Sequence, residues 1–375
     1  MAADKNEVMT ELMEVINTPV PESISASGRP IVGYLCSYIP TELLMAAGIE
    51  PLRLKGVGVD DSSTGDAYLS HLDCSFASHV VSAVVDGAYE PLSGEISCNT
   101  CDHVRRAYDA IEAKSDLDFH GYLAVPRGTS DLLYEHYISE LRKLSSAITD
   151  HFGGSIDDGR LSEAIRETNA VRDRMARIDE LRAEKEPRIT GAEALTAGIA
   201  ARSLPADKFI ELADRLIGAA ENSDPIQNVR ARVILTGGEL DDPRFVRVLE
   251  SQGAHVAGDL LCYGVRGLGR VVDESGPPLN SIAKAYLEQV PCARMMGGFP
   301  RYYEALEQMR TERQALGVVF QRIKFCQIWS SQAHNLMHRM KDSGTPLLVL
   351  EREYGTVSTG QIKTRIQAFL EKMGV

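Results

Sequence analysis

Apolar residues recur along the chain in two patterns, one typical of helices and one typical of buried strands. Val8, Leu12 and Ile16 follow at four-residue intervals and predict a helix over 5–16 with one apolar face. Elsewhere, short continuous apolar runs are bounded by turn residues, as in strands that are buried on both faces of a parallel sheet. These runs are RPIVGYL, EPLRL, RARVILTGG, AHVAGDLL, LGVVFQRIKF and TPLLVLE.

Helices are predicted between these strands. Pro40 suits the first position of a helix over 41–47, and Gly48 suits its end. Asp242 and Pro243 form an N-cap and first-position pair before another helix. Alternation of strands and helices predicts parallel sheets with right-handed crossovers. The predicted fold class is therefore α/β, with two Rossmann-like or flavodoxin-like lobes.

The middle of the chain has a different pattern. Glu, Arg, Ala and Leu dominate from 131 to about 220 with helical periodicity, and a break falls at 151–157, where Ser155 or Asp157 suits an N-cap. This stretch predicts a helical layer that joins the two lobes. The predicted organisation is an N-terminal helical segment (1–28), a first α/β lobe (29–150), a helical linking segment (151–225) and a second α/β lobe (226–375).

Composition narrows the class of protein. The 375 residues include 44% hydrophobic and 25% charged residues, which is typical of a soluble globular protein. The net charge of −13 argues against a nucleic-acid partner, whose phosphates require Lys and Arg. The chain has no apolar run of about 18 residues, and its first residues are polar, so neither a membrane span nor a signal peptide is predicted. We expect a cytoplasmic protein.

The seven cysteines are odd in number and far apart, which disfavours a disulfide framework. Cys36, Cys101 and Cys326 each follow a predicted strand and precede a helix. Open parallel sheets bind ligands beyond the carboxyl ends of their strands, so we expect these thiols to converge between the lobes. Cys74 lies directly before a helix, where partial positive charge stabilises a thiolate.

The spacing of the cysteines leaves several interpretations open. Any one of them suits a buried core position, because free Cys is among the most buried residue types. Cys98 and Cys101 form a single CxxC, which fits a redox pair, half of a zinc site or chance. No phosphate-binding GxxxxGK[ST] motif is present, and GVRGLG is interpreted as a turn. From spacing alone, the prediction is only a metal or redox site.

Longer blocks carry a more specific resemblance. In order along the chain they are IVGYLCSYIPTELLMAAGIEPLRL, DCSFASHVVSAVVDGAYEPLSGEISCNTCDHVRR, GVVFQRIKFCQIW, GTPLLVLEREYG and GQIKTRIQAFLE. Together they resemble the family that contains benzoyl-CoA reductase and 2-hydroxyacyl-CoA dehydratase subunits. The resemblance runs over nearly the whole chain, although it does not specify the member.

The resemblance implies a [4Fe–4S] cluster held by three cysteines from separate blocks. The matching positions are Cys74, Cys101 and Cys326, with Cys98 as the competing choice for the second ligand. Three thiolates leave one iron open to water or a substrate oxygen. The surplus cysteines leave open the double-cubane [8Fe–9S] cluster of a related protein; they are Cys36, Cys98, Cys262 and Cys292.

The implied function is that of an iron–sulfur subunit of a radical acyl-CoA enzyme, paired with a homologous second subunit. An ATP-dependent iron–sulfur activator would supply electrons, and the product would be an enoyl-CoA in a dehydratase or a dienoyl-CoA in an aryl-CoA reductase. Ser37 and Tyr38 are candidates for contacts to the thioester oxygen. Glu42 is a candidate proton acceptor, or simply a charge in the first turn of a helix. The alternatives are a homodimeric double-cubane reductase of small molecules and a non-catalytic electron-relay paralogue.

Overall fold

Two four-stranded, all-parallel sheets form the framework of the chain. The computed structural model describes residues 4–56, 58, 61–355 and 360–375. The first sheet has the order β2-β1-β3-β4, and its strands are β1 (Ile31–Tyr34), β2 (Glu50–Arg53), β3 (Gly94–Cys98) and β4 (Phe119–Leu123). The second has the order β6-β5-β7-β8, and its strands are β5 (Ala231–Gly237), β6 (Ala254–Leu260), β7 (Gly317–Ile323) and β8 (Leu347–Arg352). This architecture confirms the predicted α/β class with two lobes.

Helices cover both sheets and fill the space between them. In the first half of the chain they are α1 (Lys5–Asn17), α2 (Glu22–Ser25), α3 (Thr41–Ala46), α4 (Ser63–Tyr68), α5 (Ser75–Val85), α6 (Asp102–Lys114), α7 (Asp131–Phe152) and α8 (Asp158–Ala183). In the second half they are α9 (Gly191–Ala200), α10 (Ala206–Glu221), α11 (Pro243–Glu250), α12 (Val265–Leu268), α13 (Pro278–Glu288), α14 (Phe299–Glu312), α15 (Gln327–Ser343) and α16 (Gly360–Lys372). No helix among the described residues is both long and apolar enough to span a membrane.

Local signals in the sequence account for several of these boundaries. Val8, Leu12 and Ile16 are fully buried on one face of α1. The Asp157 side chain caps α8 by accepting a hydrogen bond from the Arg160 amide, so Asp157 rather than Ser155 is the cap. Asp242 caps α11 in the same manner, and a proline opens that helix. The helical break and the N-cap predicted from the sequence are thus confirmed.

Other elements were not evident from the apolar pattern. Strand β4 and helices α12 to α14 have no strong periodicity in the sequence. The GVRGLG segment, interpreted as a turn, contains the short helix α12. The predicted domain bounds of 28, 150 and 225 stay predictions, although every strand of each sheet falls within the lobe to which it was assigned.

The two sheets share one topology, and this topology positions a ligand site. In each sheet the first strand is central: the chain goes to one side for the second strand and to the other side for the third and fourth. Loops that leave neighbouring central strands in opposite directions open a crevice at the carboxyl end of the sheet. The crevices lie after β1 and β3 in the first lobe and after β5 and β7 in the second. One apolar cluster contains side chains from both sheets, including Ile96 and Phe320, and holds the lobes together.

Candidate active site

Six of the seven cysteines line a single cavity of about 70 Å³ between the lobes. They come from loops of both sheets and are Cys36, Cys74, Cys101, Cys262, Cys292 and Cys326. All seven cysteines are free thiols. The structure therefore brings together the four cysteines expected at the carboxyl ends of strands or at a helix start, and adds two.

The cavity walls follow from the shared sheet topology. Cys36, Ser37 and Tyr38 follow β1, and Cys101 follows β3 after a short loop. In the second lobe, Gly238 and Glu239 follow β5, and Cys326 follows β7. Both crevices thus face the same space. Apolar side chains complete the walls: Leu35, Phe76, Val104, Ile323, Ile328 and Trp329.

A glycine at the end of β5 permits the close approach of the two central strands. Gly237 has a φ of +132°, and a Cβ atom there would lie 1.8 Å from the carbonyl oxygen of Gln321 in β7. Only glycine fits this position, since any side chain would collide with the neighbouring backbone. The following residues, Gly238 and Glu239, are thereby directed into the cavity wall.

Cys74, Cys101 and Cys326 share one local geometry. Each is the N-cap residue of a helix, namely α5, α6 and α15 in that order, and each has an extended backbone. None of the three side chains makes a cap hydrogen bond to its own helix. The thiols are thus placed over the positive end of a helix dipole, where negative charge on sulfur is stabilised, and remain available to the cavity.

Burial dominates the protonation of these thiols. Burial raises the pKa of Cys74 to about 12 and the pKa of Cys326 to about 11, and it raises the pKa of Cys101 well above its usual range. The nearby Cys326 also raises the pKa of Cys74. Each cysteine also accepts a hydrogen bond from the backbone amide three residues further on, which lowers its pKa. These amides belong to Ala77, Val104 and Trp329. Without a compensating cation, the three thiols are therefore protonated at neutral pH.

Cys98 lies behind the cavity wall. It is fully buried, does not line the cavity, and its Sγ is 2.8 Å from the Thr100 hydroxyl. A hydrogen bond from the Cys98 thiol is the main reason that the pKa of Cys36 falls to about 6. Of the two cysteines in the CxxC, Cys101 is the one that faces the cavity.

Polar side chains fix the loop after β1 against the second lobe. The Ser37 hydroxyl accepts a hydrogen bond from Arg53 Nη1 at 2.9 Å and donates one to the Cys262 carbonyl at 3.3 Å. Arg53 Nη2 also forms an ion pair with Glu239 at 3.1 Å. The Tyr38 hydroxyl accepts a hydrogen bond from the Cys292 amide at 3.3 Å. Ser37 and Tyr38 thus line the cavity as expected, while their catalytic roles stay predictions.

Several polar residues of the site were missed in the sequence. Arg53 ends strand β2, and a cation at the carboxyl end of a buried strand was the available signal. Arg266 lies in the GVRGLG segment, where the glycines suggested a turn. Its Nη2 atom is 2.7 Å from Cys262 Sγ, and its guanidinium lies 5.3 Å from the centre of the Trp329 ring. Two buried cations therefore border the thiols.

Local backbone features hold two of the cysteine loops. The Cys74 amide donates a hydrogen bond to Nδ1 of His103 at 3.1 Å, and Nε2 of His103 lies 3.4 Å from Asp73. Phe325, directly before Cys326, has a φ of +66°, a conformation that is strained for a bulky residue. Such strain is common beside functional residues, because the surrounding structure must impose it.

Glu42 lies outside this cavity. Its carboxylate accepts hydrogen bonds from Arg172 at 2.7 Å, Thr168 at 3.0 Å and Tyr286 at 2.8 Å. Burial alone would raise the pKa of Glu42, yet Arg172 lowers it below its usual value. The structure places Glu42 in a fully bonded ion pair between α3 and α8, and its role as a proton acceptor stays a prediction.

The thiols suit a metal cluster better than a single metal ion. Among the described residues, no three His, Cys, Asp or Glu side chains are close enough to bind one ion. The sulfur ligands of one tetrahedral ion must lie about 4 Å apart. In an iron–sulfur cluster each cysteine binds a different iron, so its sulfurs lie farther apart. Three N-capping thiols that border one enclosed space fit that donor set.

These features define a class: a two-lobed α/β protein with a thiol-rich cavity at the switch points of two parallel sheets. The family model described as 2-hydroxyglutaryl-CoA dehydratase, D-component, matches residues 36–373. The chain belongs to this family, which confirms the resemblance found in the sequence.

Known relatives include subunits of dehydratases and a subunit of a reductase. The chain is 21% identical to the (R)-phenyllactyl-CoA dehydratase beta subunit of Clostridium sporogenes, over 99% of this chain and all of the relative. It is 23% identical to a benzoyl-CoA reductase subunit of Thauera aromatica, over 85% of this chain and 84% of the relative. It is also 23% identical to the beta subunit of lactoyl-CoA dehydratase of Anaerotignum propionicum, over 98% of both. These identities do not separate the two reactions.

Proposed function

We propose that this chain is the [4Fe–4S] subunit of a radical acyl-CoA enzyme, either a 2-hydroxyacyl-CoA dehydratase or an aryl-CoA reductase. The observation that carries the proposal is the set of three N-capping cysteines that line one cavity between the lobes. The relatives named above are subunits of acyl-CoA dehydratases and of benzoyl-CoA reductase, which supports the substrate class.

Cys74, Cys101 and Cys326 would hold the cluster, with Cys98 as the weaker candidate because it does not line the cavity. When bound, such a cluster supplies low-potential electrons and one iron without a cysteine ligand. The positive ends of α5, α6 and α15 favour charge on the three sulfurs. The helix amides near each sulfur also stabilise the thiolate form.

The remaining residues of the cavity would bind and orient a thioester. Ser37 and Tyr38 are held by hydrogen bonds to the second lobe, and we propose that they contact the thioester oxygen. Arg266 places positive charge beside that position, which favours a developing oxyanion, while Arg53, paired with Glu239, orients Ser37. Phe76, Ile328 and Trp329 exclude water, which strengthens these electrostatic interactions.

We propose that Glu42 has a structural role rather than a catalytic one. Each carboxylate oxygen is already bonded, and the residue is absent from the cavity walls. A proton acceptor needs a free oxygen within hydrogen-bond reach of its substrate.

The relatives are named as subunits, so we propose a heterodimer with a homologous second chain, supplied with electrons by an ATP-dependent iron–sulfur activator. We further propose that the complex acts in the cytoplasm.

One observation favours a second candidate function. Three further thiols, those of Cys36, Cys262 and Cys292, line the same cavity. A larger double-cubane cluster needs more thiolates per chain, so a homodimeric reductase of small molecules is the alternative.

Iron and acid-labile sulfide, measured on anaerobically purified and reconstituted protein, test both proposals. We expect about four irons per chain in the parent protein. Cys74→Ser, Cys101→Ser and Cys326→Ser should each lose the cluster and its visible absorbance. Cys98→Ser is the matched control, since it removes a thiol of the same CxxC that lies behind the wall, and it should retain iron.

Other outcomes decide between the candidates. About eight irons per chain, together with loss in the Cys36→Ser, Cys262→Ser and Cys292→Ser variants, would support the double-cubane alternative. A reconstituted protein without iron would exclude both proposals.

A further inference from the structure

A second cavity adjoins the cysteine-lined one. It has a volume of about 70 Å³ and lies between the first sheet, α8 and the segment that includes α12, and Ser37 lines both cavities. Its walls include the buried side chains of Tyr34, Arg172 and Arg202. The Glu50 carboxylate also lines it and forms an ion pair with Arg29 rather than with Arg202. The proposed function gives no role to this space.

Arg202 has no compensating carboxylate among the residues that the structure describes. Its side chain is only 7% exposed and lines the second cavity. Nη2 donates a hydrogen bond to the Gly267 carbonyl at 2.7 Å, whereas Nη1 has no hydrogen-bond partner among the described residues. Within the same part of the chain, no carboxylate forms an ion pair with Arg202. The guanidinium lies 5.8 Å from the centre of the Tyr263 ring, which compensates only part of a buried charge.

Neighbouring buried arginines have carboxylate partners. Arg53 forms an ion pair with Glu239, and Arg172 forms one with Glu42. Arg202 carries the same permanent charge, because a guanidinium does not deprotonate in proteins. An unpaired buried charge is expensive, so its retention beside a cavity points to a partner that arrives from outside the chain.

We propose that Arg202 binds an oxyanion of the substrate thioester in this second cavity. The shared chemistry is a carboxylate or phosphate that accepts hydrogen bonds from the guanidinium. Two parts of an acyl-CoA carry such a group: a carboxylate on the acyl chain and the phosphates of coenzyme A. The proposal rests on the proposed function, and it adds a site that discriminates substrates by their charge.

Isothermal titration calorimetry of the full-length protein with three probes tests the site. Coenzyme A carries phosphates, S-glutaryl pantetheine carries a carboxylate but no phosphate, and S-acetyl pantetheine carries neither. We expect the parent protein to bind at least one charged probe more tightly than S-acetyl pantetheine. Arg202→Met should weaken the binding of that probe by roughly 10- to 100-fold, the usual effect of losing a charge-assisted hydrogen bond.

Two further variants control for loss of folding and loss of charge elsewhere. Arg232→Met removes an arginine that donates hydrogen bonds to the carbonyls of Ala183, Glu184 and Arg313 and does not line the cavity. It should bind all three probes as the parent protein does. Arg202→Lys keeps the charge without the planar fork and should bind with intermediate affinity, which also tests the site if Arg202→Met does not fold.

The probes identify the source of the oxyanion. If the Arg202 variants bind only coenzyme A more weakly, the site recognises a phosphate. If they bind only S-glutaryl pantetheine more weakly, the site recognises an acyl carboxylate. Equal binding of every probe by the parent and both Arg202 variants would overturn the proposal, as would a parent protein that binds no charged probe. Iron content is measured separately, so failure here leaves the cluster proposal intact, and the reverse also holds.

Discussion

The cysteine-lined cavity and the Glu42 cluster are both buried polar regions in this fold, yet their bonding differs. Glu42 has a partner for each carboxylate oxygen, in Arg172, Thr168 and Tyr286. The three N-capping thiols have no cap hydrogen bond, although each lies over a helix end. A buried polar group without partners costs free energy. The fold therefore completes the bonding of one region and leaves the other open.

This difference distinguishes buried polar groups that stabilise the fold from buried polar groups that are available to a ligand. A fully bonded ion pair fixes the packing of α3 against α8 and leaves no atom for a substrate. A wall in which three N-capping thiols make no cap hydrogen bond, next to Arg53 and Arg266, retains capacity for ligands. Substitutions in the bonded region should therefore mainly reduce stability, and substitutions in the open region should mainly reduce binding.

The largest effect on stability is expected from Glu42→Gln. It leaves the buried Arg172 without its counter-charge, so the free energy of unfolding should fall by about 3–5 kcal/mol. Urea denaturation measures the change. The double variant Glu42→Gln/Arg172→Met should recover part of the loss, since it removes the unpaired charge.

An exposed ion pair provides the control. Asp214→Asn breaks the pair with Arg174 on the surface and should cost less than about 1 kcal/mol. A Glu42→Gln effect as small as that of Asp214→Asn would contradict the structural role of the buried pair.

Glu95 provides an intermediate case, because only one of its oxygens is bonded. Oε1 lies 3.3 Å from His120 Nδ1, and Oε2 has no partner among the described residues. Burial raises the pKa of Glu95 from 4.5 to about 7. Its protonated form therefore contributes stability that is fully present below about pH 4.5 and is lost as the pH rises through about 7, a change on the order of 3 kcal/mol.

Urea denaturation between pH 4.5 and 8 measures this dependence. Glu95→Gln cannot titrate, so the difference in stability between it and the parent protein should grow in favour of the variant as the pH rises. If the free energies of unfolding of the two proteins change in parallel with pH, the Glu95 carboxylate does not titrate in this range.

Ser37→Ala tests a residue that belongs to the open region but is itself bonded. It removes one hydrogen bond from Arg53 and one to the Cys262 carbonyl. We expect a loss of about 1–2 kcal/mol in the free energy of unfolding and unchanged iron content. In the assembled enzyme, kcat should fall by more than the loss of stability explains. A fall in kcat that the loss of folded protein fully explains would indicate a structural role only.

The smallest effect concerns the strained backbone beside Cys326. Phe325→Asn should stabilise the chain by up to about 1 kcal/mol, because Asn tolerates a positive φ better than Phe does. Gly344→Ala is the opposite case, since its φ of +73° suits glycine, and it should destabilise by about 1 kcal/mol. Thermal denaturation measures both. A less stable Phe325→Asn variant would show that the Phe325 side chain contributes more than its backbone strain costs.

Much of the fold could be predicted from the sequence because its signals are local. Continuous apolar runs predicted six of the eight strands described above, and capping residues such as Asp157 and Asp242 marked helix starts. Strand β3 was predicted only as the strand that Cys101 follows. Strand β4 and helices α12 to α14 were missed, since their apolar positions depend on what packs against them. Cysteines after strands also indicated a site, since parallel strands end at a common edge.

The sequence by itself determined the α/β class, the two parallel sheets and the family, because periodicity, caps and motifs depend on residues near one another along the chain. Only the tertiary structure decided which polar residues share an environment. It placed Glu42 with Arg172, directed Cys101 rather than Cys98 into the cavity, and left Arg202 Nη1 without a partner in the described part of the chain. These outcomes depend on partners more than 60 residues away in several cases, as in the hydrogen bond from Arg202 to Gly267 (65 residues). Burial and pairing are properties of the packed chain, so no local pattern encodes them.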